Sequence, residues 1–74
     1  MGELTILNYG EVRNIVWQPD APDEVQAAEQ AFDEMVEKGF SALRMDIEQK
    51  GGNKIDRFDA SAEKILMFPF LVGG

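Results

Sequence analysis

The alternation of apolar and polar positions divides the chain into short segments. Residues 4–9 (Leu4, Thr5, Ile6, Leu7, Asn8, Tyr9) are rich in β-formers and stop at Gly10. Residues 12–17, Val-Arg-Asn-Ile-Val-Trp, form a second such run that ends before Gln18-Pro19. Two runs separated by so few residues predict an N-terminal β-hairpin, with a turn type the sequence leaves open. The period then changes. Val25, Ala28, Phe32, Met35 and Val36 recur at three- and four-residue intervals and predict an amphipathic helix over 23–38. Asp20 or Asp23 offers an N-cap, Asp23 and Gln26 have capping-box spacing, and Pro22 suits a first turn. Lys38 falls at the negative end of the helix dipole, and Gly39 offers a left-handed C-cap.

Beyond Gly39 the period is two. Leu43, Met45 and Ile47 alternate with Arg44, Asp46 and Glu48, the pattern of a strand half-buried on its apolar side. Residues 49–53, with the pair Gly51-Gly52, read as a turn. Residues 54–58 read as a shorter strand, and 59–63 as a single turn capped by Asp59 or Ser61. The final run, Lys-Ile-Leu-Met-Phe-Pro-Phe-Leu-Val from 64, is apolar on both faces, as expected of a central strand. Within it Leu66, Phe68 and Phe70 share one face, and Ile65, Met67 and Pro69 the other. One face is expected to pack on the helix and the opposite one to stay partly exposed. That makes Leu66, Phe68, Phe70 and Val72 a candidate partner-docking patch, with a second copy or a local loop as the alternative cover. Trp17 fits either the patch or the core, and the core is the expectation.

The order β-β-α-β-β-turn-β restricts the fold. It predicts an α+β protein with a mixed four- to five-stranded sheet and one helix packed on one face, the β-grasp architecture, because a ferredoxin-like sandwich needs a second helix. The expected organisation is a single domain over 1–72 followed by a Gly73-Gly74 tail.

Composition narrows the chemistry. Seventy-four residues make one small core. There is neither cysteine nor histidine, which excludes thiol nucleophiles, disulfides, the usual zinc sites and a histidine general base. Ser41 and Ser61 therefore lack an activating histidine. The segment 51–54, Gly-Gly-Asn-Lys, lacks the first glycine and the hydroxyl residue of a phosphate loop. No catalytic residue, metal or cofactor is expected, and the chain is not read as an enzyme. The net charge of −7 disfavours nucleic acid and anionic membrane surfaces and favours a protein with a basic patch. Asp23, Glu24, Glu29, Asp33, Glu34 and Glu37 against Lys38 put six minus one, −5, on the helix alone. The plain expectation for those carboxylates is a solvated outer face. The N-terminal dozen residues lack the basic start and apolar run of a signal peptide, the run at 65–72 is too short to span a membrane, and the absence of cysteine fits a cytoplasmic protein.

The end of the chain carries a resemblance. Glu63, Ile65, Phe68, Pro69, Gly73 and Gly74 match, at the same spacing, the last strand and Gly-Gly terminus of the molybdopterin synthase small subunit and related sulfur carriers. The element order resembles ubiquitin equally well. Motif identity covers about the last dozen residues, and the topological likeness covers the whole chain. Phe70 stands where the carriers often have a second proline, Val72 where alanine is usual, and no arginine lies near the glycines as in ubiquitin. The resemblance implies a bacterial or archaeal ubiquitin-like protein modifier. Its Gly74 carboxylate would be adenylated by an activating enzyme that uses ATP, then passed through a thioester to a target amine. A conjugating enzyme and a deconjugating protease are the further implied partners. Two alternatives remain open: a sulfur carrier with a C-terminal thiocarboxylate, and an unconjugated protein-binding adaptor of the same fold.

Overall fold

The structure is a computed structural model that describes residues 1–45 and 52–69. In order, β1 spans Gly2–Asn8, β2 Glu11–Trp17, α1 Pro22–Glu37, β3 Phe40–Met45, β4 Asn53–Ile55 and β5 Lys64–Pro69. They make an α+β protein with one helix and a five-stranded mixed sheet, ordered β2-β1-β5-β3-β4. The expected four to five strands are thus five. β5 is central, parallel to β1 and antiparallel to β3, as its apolar faces foretold. Among the described residues no helix is long and apolar enough to cross a membrane.

β1 and β2 pair antiparallel from Gly2↔Trp17 to Asn8↔Glu11, leaving Tyr9 and Gly10 as a two-residue turn. Both have positive φ, 44° and 91°, which is the conformation of a type I′ hairpin. The helix begins one residue earlier than expected, and neither Asp20 nor Asp23 caps it. Ala21 is the N-cap and makes no side-chain cap bond. Proline explains this: lacking an N–H, Pro22 belongs in the first turn, which leaves Asp23 inside the helix facing the dipole. Glu24 instead accepts a bond from the Gln18 N–H at 2.8 Å. Gly39, at φ 94°, ends the helix as expected.

The core lies between α1 and one face of the sheet. Ala28, Ala31, Phe32 and Met35 from the helix meet Leu4, Ile6, Trp17, Ala42, Ile65 and Met67 from the strands. Val36, expected on this stripe, is 37% exposed at its margin. Trp17 is fully buried and its indole N–H donates to the Ala60 carbonyl at 3.0 Å. Gly2 makes room for it: a Cβ on Gly2 would lie 2.2 Å from two atoms of the indole. β4 is shorter than the expected 54–58 strand. The chain leaves the sheet after Ile55 and turns Phe58 inward, with its ring 5.0 Å from Trp17 and 5.9 Å from Phe32.

One strand has the opposite phase to that read from its pattern. Ala42 is the buried residue of β3, paired with Met67 on the helix side, whereas Leu43 is half-buried and Met45 exposed. Leu43 pairs with Leu66, so both belong to the sheet face away from the helix. Ile47 and the rest of 46–51 lie outside the described residues.

Candidate functional site

The sheet face opposite the helix, here the open face, is built from alternate residues of each strand. β5 supplies Leu66 and Phe68, both half-buried, while Ile65 and Met67 are fully buried under the helix. The division of β5 into a covered and an open side is therefore as expected. Phe70, Val72, Gly73 and Gly74 lie outside the described residues. Around Leu66 and Phe68 the fold gathers Leu43 and Met45 from β3, Leu7 from β1 and Val12 from β2. The first pair were expected on the buried side. The signal that would have corrected them is Phe40, which with Ala42 makes a second apolar phase directly after Gly39.

Polar residues fix this face along its length. The buried Thr5 hydroxyl donates to the Asn14 side-chain carbonyl at 2.8 Å, tying β1 to β2. Lys64 and Glu3, opposite each other on β5 and β1, form an ion pair at 3.4 Å. Both are substantially exposed, so the pair orients the face more than it stabilises it.

At the hairpin end the face dips into an apolar depression of about 340 Å³ lined by Leu7, Tyr9, Val12, Phe68 and Pro69. That volume is at the lower end of the roughly 300–1,000 Å³ usual for ligand pockets and suits one or two inserted side chains. Tyr9 forms its rim and is 83% exposed in left-handed backbone, a position where asparagine or glycine is the ordinary choice. Holding a non-glycine residue there costs on the order of 1 kcal/mol. The β-former run at 4–9 hid this, because it placed Tyr9 inside the strand.

On the far side, the loop before β5 is held by Asp59. Its Oδ1 accepts bonds from the Ser61 N–H at 2.9 Å and the Ser61 hydroxyl at 2.6 Å, and Arg44 donates to Oδ2. Asp59, not Ser61, is therefore the residue that caps this turn. The Ser61 bonds, with a lesser contribution from the Arg44 guanidinium, hold the Asp59 carboxyl below its usual 3.8 against the opposing effect of burial. This device sets the entry of β5 and has no reactive geometry. The helix carboxylates Asp23, Glu24, Glu29, Asp33, Glu34 and Glu37 are all exposed. Among the described residues no three acidic side chains converge into a metal-binding group.

No family model, curated protein or solved structure matches the chain.

Proposed function

We propose that the protein is a β-grasp carrier whose own residues act as handle and substrate for a partner enzyme. The reacting group is the Gly74 carboxylate. One of its oxygens attacks the α-phosphorus of ATP in an activating enzyme, and pyrophosphate leaves. A cysteine thiolate of the partner then attacks the acyl carbon and AMP leaves, giving a thioester that a target amine converts to an amide. The observation that supports this reading is the position of β5. The strand that leads into the Gly-Gly sequence is held by neighbours on both sides, and it ends at Pro69 beside an apolar depression and Phe68. Five residues follow Pro69, and five residues reach at most about 18 Å. An enzyme that acts on Gly74 therefore works within that distance of the end of β5, where the half-buried Leu66 and Phe68 on the open face offer it a grip.

The alternative of a thiocarboxylate sulfur carrier shares the first step and diverges when a sulfur donor displaces AMP. The adaptor reading rests on the open face alone and needs no tail. One set of measurements separates them: ATP–pyrophosphate exchange and product mass with adenylating enzymes of the ubiquitin and sulfur-carrier type, using the purified chain ending at Gly74. Exchange is expected for wild type and is lost when Gly73 is made Leu or one alanine is added after Gly74. The tail must pass a narrow channel, and a displacement of about 1 Å costs on the order of a hundredfold in rate. The mass of the product then separates amide from thiocarboxylate. Equal exchange by the extended variant, or none by wild type with any such enzyme, overturns the carrier reading and leaves the adaptor.

A further inference from the structure

The two edges of the sheet differ in how they meet solvent. β4 closes one edge with three residues and an exposed lysine, Lys54, which is how edges are usually blunted. β2 closes the other with seven residues in unbroken register, without proline or bulge. Its two large open-face residues, Val12 and Val16, are 63% and 48% exposed. Glu11 and Arg13 cancel, so this strand is neutral in a chain of net charge −7.

The hairpin register decides which backbone groups face outward. In a two-residue hairpin the residues flanking the turn, Asn8 and Glu11, exchange both hydrogen bonds, and bonded and non-bonded pairs alternate from there. Glu11, Arg13, Ile15 and Trp17 thus bond to β1, while Val12, Asn14 and Val16 aim their N–H and C=O groups away from it. These three residues are symmetric about Asn14: valine two before and valine two after. A two-fold interface requires that residue i meet j while j meets i. An antiparallel pairing centred on Asn14 meets that requirement, placing Val12 opposite Val16 of a second copy, Asn14 opposite Asn14, and Val16 opposite Val12. All three pairs are of the hydrogen-bonded kind, two bonds each, and all the valines fall on one face.

We propose that β2 is a self-recognition edge through which two copies join antiparallel about Asn14 into a continuous ten-stranded sheet, twice the five strands of one chain. The partner is a second copy of this chain, because the valine–asparagine–valine series is complementary to itself in antiparallel register about Asn14. The proposal needs no reading of the tail, since β5 lies two strands inward from this edge, although Val12 also lines the depression beside Phe68. The two-fold axis is perpendicular to the sheet and brings both acidic helices to the same side, so their repulsion opposes association and salt relieves it. The contact, one strand against one strand, is smaller than a standard interface, so the dimer is expected to be weak and to need high protein concentration and screened helices.

Sedimentation velocity between about 10 μM and 1 mM, at about 0.05 and 0.5 M salt, tests this. Wild type should pass from monomer to dimer and do so more readily in the higher salt. Val12→Lys together with Val16→Lys sets like charges opposite each other and should weaken the dimer about tenfold or more. Val12→Glu together with Val16→Lys sets opposite charges there and should keep it. Both positions are exposed and Val16 faces Glu3 of its own β1, so the fold tolerates all these changes. For wild type itself, filtered nuclear Overhauser effects in a mixture of labelled and unlabelled chains should connect Val12 methyls to Val16 methyls of the other copy. A chain that remains monomeric at about 1 mM in the higher salt overturns the proposal. So does a dimer that the doubly lysine-substituted chain forms as tightly as wild type, or one that lacks the Val12–Val16 contacts.

Discussion

Gly2→Ala tests how the hairpin is fastened to the core. An added methyl would lie 2.2 Å from Cε2 and Cζ2 of Trp17, far inside van der Waals contact. The indole has nowhere easy to go: it is fully buried, stacked at a tilt on Phe58, and bonded to the Ala60 carbonyl. Either β1 shifts and strains the start of the hairpin, at about 1–3 kcal/mol for an overpacked site, or the indole shifts and leaves a buried N–H unpaired, at a similar cost. A chain of 74 residues has roughly 4–11 kcal/mol of total stability, so a loss near 2 kcal/mol is a large part of it. It corresponds to a fall of about 8–16 °C in Tm. Trp17 is the sole tryptophan, so its emission reports directly on the site. Urea unfolding followed by fluorescence should show a lower midpoint, with native emission shifted as the indole loosens. Trp17→Phe removes the atoms the methyl would strike. In that background, followed by circular dichroism, Gly2→Ala should cost at least about 1 kcal/mol less. Unchanged midpoint and emission in the single variant would refute the close approach of Gly2 and Trp17.

Phe32→Ala, at the centre of the helix stripe and edge-on to Phe58, should cost about 3–5 kcal/mol, whereas Val36→Ala at the margin should cost under about 1 kcal/mol; equal losses in urea unfolding would mean that the helix is rotated. Ala42→Lys should unfold the protein or lower its midpoint sharply, while Leu43→Lys on the open face should be far milder; the reverse order would restore the opposite phase of β3. For Asp59, whose folded pKa lies below its usual 3.8, stabilisation is present above that value and is lost as pH falls through the folded pKa. Asp59→Asn should therefore be less stable than wild type at neutral pH and converge on it in acid, and a difference that is constant from pH 7 to strongly acidic solution would refute the charge-based account.

The features legible in the sequence were those fixed by near neighbours. The 3.6-residue spacing from Val25 to Met35 located the helix, because burial of one stripe is a local property of its own residues. The apolar character of both faces from Ile65 to Phe68 marked β5 as central, since only a strand with neighbours on both sides and a helix above can bury so much. What the pattern mistook were choices made by distant residues. β3 offers two apolar phases, Phe40 with Ala42 and Leu43 with Met45. Its own sequence favours the larger side chains as the buried set. Pairing with β5 decides otherwise: Ala42 lies beside Met67, under a helix that already brings Phe32 and Met35 to that layer. Gly2 carried no signal at all, because the reason for its smallness is an indole fifteen residues away in sequence.

The same distinction separates the two parts of the candidate site. The Gly73-Gly74 pair is readable directly, since it is a feature of two adjacent residues in the sequence, and it lies outside the described residues. The open face is different, because it is assembled from four strands and each contributes only the phase its neighbours permit. Leu66 and Phe68 could be assigned from β5 alone. Leu7 and Val12 join them because a two-residue turn sets the β1–β2 register, and Leu43 and Met45 join them because β3 is inverted relative to its pattern. The effect of that inversion is to move two large apolar side chains from a core already filled by α1 to the sheet face opposite the helix. A surface of this kind keeps its apolar character only while Ala42 stays small enough to sit under the helix. One residue that shapes the open face, Ala42, is therefore one that never appears on it.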